Sequence, residues 1–214
     1  MSCSRSALSA FTWPPESSSP AGSERAAAAE PVQAAVLVPL FLTGETPEPS
    51  VVLTKRRADL RRHAGEISFP GGRKDPGDAD LSATALREAE EEIGLSRAQV
   101  KLLGALPTTS TLATNYVIHP FVATIPAGTA WTLSEREVDQ VLELPLEAVR
   151  AAKAITDIER RGITFQTDAY IVEGNVIWGA TARILAHLFD ALLPADAEGN
   201  LALSSDREDP RGRR

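Results

Sequence analysis

Residues 71–95 read GGRKDPGDADLSATALREAEEEIGL. The second half predicts a helix over Asp80–Ile93: Asp80 or Ser82 can cap its start, and Gly94 can end it. A helix turns about 100° per residue, so Glu88, Glu91 and Glu92 share one face at i, i+3 and i+4, while Glu90 points away. Ala85, Ala89 and Ile93 form a neighbouring apolar stripe suited to packing on a sheet. Three carboxylates on one face repel each other unless they are solvated or neutralised. As residues alone they leave two readings open: a solvated acidic face, or oxygen ligands for a hard cation such as Mg²⁺ that would also take phosphate oxygens.

Outward from this helix the pattern alternates between strand and helix. Residues 34–42 (AAVLVPLFL) and 50–54 (SVVLT) predict buried strands around a turn at Gly44–Pro49. Glu66–Phe69 predicts a short strand, and Pro70-Gly71-Gly72 a rigid turn with no side chain to obstruct a ligand. Strands are expected at 100–106, 117–125 and 138–142, with a short helix at 146–152. A hairpin is expected from 164–171 and 176–178 around Glu173-Gly174-Asn175, then a last helix at 181–193. Strands mixed with two or three helices predict a layered α/β domain.

The 214 residues suit one domain, expected at 32–203. Residues 1–31, rich in Ser, Ala and Pro, read as a disordered leader, and 204–214 as a flexible tail. A targeting reading of the acid-poor residues 1–25 stands second to that leader. A net charge of −7 argues against a general nucleic-acid binder but leaves room for a small anionic substrate met by a local arginine cluster. With Cys3 the only cysteine, no disulfide can form within the chain, and a cytoplasmic, reducing compartment is expected. No apolar run approaches the roughly 20 residues of a membrane span.

Gly72, the loop after it, and Arg87-Glu88-x-x-Glu91-Glu92-x-Gly94 resemble the box of the Nudix hydrolase superfamily, G-x5-E-x7-R-E-U-x-E-E-x-G-U, where U is bulky and apolar. The resemblance implies an α/β/α sandwich with a mixed central sheet and a metal-dependent pyrophosphohydrolase using Mg²⁺ or Mn²⁺. Glu88 and Glu92 would be the principal metal ligands, with Glu91 joining them or acting as base, and Arg87 would steady the array by ion pairing. Two positions depart from the pattern. The loop is one residue longer than the pattern, so the early glutamate falls at Asp78 counted from Gly72 and at Ala79 counted back from Arg87, leaving Asp78 or Asp80 to serve. Ala89 is small for its apolar position.

The segment before the box narrows the resemblance. Leu53, Thr54, Arg56, Leu60, Arg61, His63, Gly65, Phe69, Pro70, Gly71 and Gly72 fit a signature that resembles the coenzyme A pyrophosphatase class, and Asp75 and Asp78 fit its longer loop. Val176–Ala182 resembles the start of that class's last helix. The implied substrate is coenzyme A or an acyl or oxidised form, with Arg56, Arg61, His63, Gly71 and Gly72 in substrate binding. Arginine forks suit phosphates; Lys55, Arg57 and Arg62 read as a solvated basic turn. Glu135 and Glu137 stand where an additional ligand or base could sit, the loop 107–116 (PTTSTLATNY) reads as a polar turn or a substrate contact, His187 reads as structural and Trp178 as core. The alternatives are a Nudix enzyme acting on ADP-ribose, dinucleotides or nucleoside triphosphates, and a non-catalytic nucleotide-binding module.

Overall fold

A computed structural model describes residues 30–43, 48–59, 65–111, 115–160 and 162–192. The leader, the tail and the Gly44–Pro49 turn therefore fall wholly or mostly outside the described residues. The elements run β1 (Val32–Thr43), β2 (Glu48–Arg56), β3 (Ile67–Ser68), β4 (Gly71–Arg73), α1 (Leu81–Ile93), a 3-10 turn (Arg97–Gln99), β5 (Lys101–Ala105), β6 (Thr109–Ser110), β7 (Tyr116–Thr124), β8 (Val138–Pro145), α2 (Leu146–Ala151), β9 (Lys153–Arg160), β10 (Ile163–Val172), β11 (Asn175–Trp178) and α3 (Gly179–Leu192).

β1 is the hub of the large mixed sheet. It runs parallel to β7 from Val32↔Tyr116 to Leu40↔Thr124. Its other edge is shared, because β4 pairs with residues 34–36 and β2 with residues 40–43, both antiparallel. β2 continues the sheet to β8 and β3, while β5 and β6 pair with β7. β9, β10 and β11 form a separate antiparallel sheet.

Alternate residues of β1 and β2 face opposite layers, as the two-residue period of a strand requires. Ala35, Leu37 and Val52 pack with Ala85, Ala89, Ile93 and Leu95, which places α1 on one face. Val38, Leu40, Val51 and Leu53 pack with Tyr170, Ile177, Ile184, Leu185 and Leu188, which places α3 and the small sheet on the other. The result is the expected α/β/α arrangement around a mixed sheet.

β4, β6 and β9 differ from the sequence expectation, β6 lying within the stretch read as a polar loop. Gly71-Gly72 is not a free turn but most of β4, because the missing side chains let the backbone lie flat on β1. A Cβ at Gly71 would sit 2.6 Å from Val36 Cα. β9 was not expected at all. Among the described residues no helix is long and apolar enough to cross a membrane.

Candidate active site

Helix α1 is fixed at both ends. Asp80 Oδ1 accepts from Ala83 N at 2.8 Å and from Ser82 Oγ at 2.7 Å, which caps the free amides of the first turn. At the far end Gly94 adopts φ +70°, and its amide and that of Leu95 return to Glu90 O and Ala89 O. Ala85 and Ala89 are fully buried, so the helix lies close against β1, and the small residue at Ala89 is what that approach admits. This seating turns Glu88 and Glu92 toward β4 and leaves Glu91 at the rim.

Glu92 is only 4% exposed, unusual for a carboxylate. Its Oε2 accepts from Gly71 N at 3.3 Å, and its Oε1 lies 3.7 Å from Arg56 Nη1. Burial pushes its pKa up to about 8, against the opposing pull of the Gly71 amide and Arg56. Glu88 is half-buried and also shifted upward by burial, with Arg87 opposing. Its carboxylate lies over Gly72, where a Cβ would collide with it.

Arg87 binds this array together. Its Nε and Nη2 fork onto Asp78 at 2.9 and 3.0 Å, Nη1 donates to Glu91 Oε2 at 3.0 Å, and Nη2 lies 3.0 Å from Glu88 Oε1. Nη2 also donates to Arg73 O at 3.2 Å, tying the helix to β4. Asp78 accepts further from Thr84 Oγ1 and Asp75 N, both at 2.9 Å. The Arg87 guanidinium, the Asp75 amide and the Thr84 hydroxyl hold the Asp78 carboxyl well below the usual carboxylate range. Asp78 therefore fills the early acidic position left open by the loop count, while Asp80 is the helix cap.

The glutamates themselves offer only carboxylate oxygens, the ligand type preferred by hard divalent cations. Glu88 and Glu92, both turned toward β4, offer such oxygens. Among the described residues no three histidine, cysteine, aspartate or glutamate side chains come together as a group that could hold a metal ion, and Glu91 stays at the rim with Arg87. The fit rests on Glu92: a buried carboxylate whose nearest cation is 3.7 Å away is stabilised by an added positive charge.

Beside the array lies a cavity of about 550 Å³ that reaches from Arg56, Ser68 and Phe69 to Phe165 and Trp178. Arg56 joins the two, since it lines the cavity and approaches both Glu92 and, at 3.9 Å, Glu137 Oε2. Its Nε is buried and has no hydrogen-bond partner among the described residues.

The NUDIX domain profile matches residues 31–164. The chain belongs to the Nudix family. Two relatives, both described as uncharacterized Nudix hydrolase NudL, come from Yersinia pestis (strain Pestoides F) and Yersinia pseudotuberculosis serotype O:1b (strain IP 31758). Each is 40% identical over 158 residues, covering 73% of this chain and 77% of the relative. A MutT/nudix family protein from Enterococcus faecalis shares the fold, with TM-score 0.53 and 14% identity over 78% of this chain and 64% of that one. Nudix hydrolases generally use divalent metal ions.

Of the residues singled out from sequence, Arg56, Gly71, Gly72, Arg87, Glu88, Glu91 and Glu92 come together around the Nudix box. Glu91 is 60% exposed and engaged by Arg87. Glu137 joins through Arg56, whereas Glu135 only offers its carbonyl to Arg57, at 2.9 Å. Arg61 and His63 lie outside the described residues, as do 112–114 of the polar loop. Trp178, read as core, is only partly buried and lines the cavity. The cavity wall from β9 and β10, including Arg160 and Phe165, was not foreseen; no motif marks it.

Proposed function

We propose that this Nudix hydrolase cleaves the diphosphate bond of coenzyme A, or of its acyl or oxidised forms, adding water to give 3′-phosphoadenosine 5′-phosphate and 4′-phosphopantetheine or its acyl form. The observation that carries the reading is the junction at Arg56. One arginine, inside the segment that resembles the coenzyme A pyrophosphatase signature, touches both the carboxylate array and a cavity large enough for much of such a substrate.

In this reading Glu88 and Glu92 hold Mg²⁺ or Mn²⁺, and Glu91 completes the set or takes the proton of the attacking water. The metal, when bound, offsets phosphate charge and lowers the pKa of water. Arg87 keeps Glu88 and Glu91 in place against their mutual repulsion. Gly72 leaves the space that the Glu88 carboxylate fills, and Gly71 aims its amide at Glu92. Arg56 turns its guanidinium to the diphosphate oxygens as charge grows on them. Arg61 and His63 join it in substrate binding.

The test is product analysis with coenzyme A in ¹⁸O-water with Mg²⁺ or Mn²⁺, beside ADP-ribose, adenine dinucleotides and nucleoside triphosphates. The expected result is label in one of the two named products and the highest kcat/KM for a coenzyme A form. Faster turnover of any other class would replace the substrate assignment. Binding without turnover of any of them would favour a non-catalytic module.

A further inference from the structure

The far end of the cavity is built differently from the end at Arg56. Phe165 and Trp178 meet edge to face, with ring centroids 5.9 Å apart. The Arg160 guanidinium lies 5.5 Å from the Trp178 ring centroid. Phe165 is 38% exposed, so part of an aromatic surface is left uncovered at the cavity. Thr167 and Asp168, next along the same strand, also line the cavity.

We propose that this shelf binds the nucleobase of the substrate, an adenine-type ring stacking on the Phe165–Trp178 pair. The inference rests on the reading that the cavity receives a nucleotide diphosphate. A flat π-face gains from aromatic rings and from a guanidinium, whereas an aliphatic arm gains nothing from the cation and costs its hydration. Thr167, on the same strand face as Phe165, adds a hydroxyl oxygen, and an exocyclic amine on a base has an N–H group to give it. The orientation follows: with the base on the shelf and the diphosphate at Arg56, the pantetheine half leaves by the open side of the carboxylate array.

The experiment uses the full chain in chelator, so that nothing is hydrolysed, with AMP and 4′-phosphopantetheine as separate probes. Trp131→Phe removes one competing fluorophore; Trp178 is then followed by emission, with Trp178→Leu as the control for the signal. AMP should quench Trp178. Phe165→Leu, which keeps apolar bulk at a part-exposed site, should raise the AMP Kd about tenfold. 4′-Phosphopantetheine should give neither effect. Quenching by 4′-phosphopantetheine instead, or an AMP Kd unchanged in Phe165→Leu, overturns the assignment. AMP is common to coenzyme A, ADP-ribose and adenine dinucleotides, so a different preferred substrate leaves this test standing. Coenzyme A hydrolysis with no effect of AMP on Trp178 rejects the shelf alone.

Discussion

Gly72 carries the Glu88 carboxylate where any other residue would carry its own side chain. Gly72→Ala should therefore displace Glu88 with little effect on the core, and kcat should fall about 10²-fold, the scale of a misplacement near 1 Å. An unchanged kcat in a folded variant would remove Glu88 from the machinery. Asp78 makes a different prediction. Arg87 and its neighbours hold its carboxyl well below the ordinary value near 3.9, so the folded chain binds that proton more weakly than the unfolded one. Its contribution to stability is complete above about pH 4 and is lost as pH falls through the folded value. Asp78→Asn should lower the urea midpoint at neutral pH, with the gap to the parent closing below pH 4; a gap independent of pH would contradict the Arg87 clamp. At this scale helical spacing aligned the glutamates, while the resemblance to the Nudix box supplied their role and that of Arg87. Asp78 was not legible, because a loop one residue longer than the pattern gives two counts, and only the bidentate contact with Arg87 separates Asp78 from Asp80.

Helix α1 was the most legible element, since its cap, apolar stripe and stop agree. The stop is demanding: Gly94 sits at φ +70°, and a Cβ there would come within 2.8 Å of Thr132 Cβ. Gly94→Ala should cost at least about 1 kcal/mol from the left-handed conformation alone, read as a lower midpoint in chemical denaturation. Equal stability would mean that the helix end relaxes freely. β9 shows why a strand can escape a reading by alternation. Its outward face carries Ile155, 67% exposed, among Lys153, Asp157 and Glu159, and its inner face carries Arg160 beside Ile158. With polar and apolar residues on both faces, the two-residue period is blurred. β4 escaped for the opposite reason, because two glycines read as a turn when their use is close backbone approach to β1.

Across the whole molecule the site sits where three parts meet: α1 supplies the carboxylates, β2 and β4 the arginine and the glycine cradle, and the small sheet the far wall of the cavity. Glu92 is buried at that junction with weak compensation, so ionising it works against its burial and its pKa is pushed up to about 8. Glu92→Gln should unfold no more readily than the parent in chelator, while hydrolysis falls about 10²-fold or more. A marked loss of stability with activity retained would make Glu92 a structural partner of Gly71. The parallel pairing of β1 with β7 sets the order in which this junction can form. Val32 and Tyr116 are neighbours in the sheet but lie far apart in the chain, and the entire Nudix box is made between them. On a chain emerging from the ribosome, α1 and its carboxylates appear before the strand that completes the sheet beneath them. The strand that completes the sheet beneath the acidic helix, and the small sheet that walls the cavity, both follow later in the chain. The carboxylate array and the far wall are thus written in separate stretches of sequence, in that order, and only long-range pairing brings them to one place.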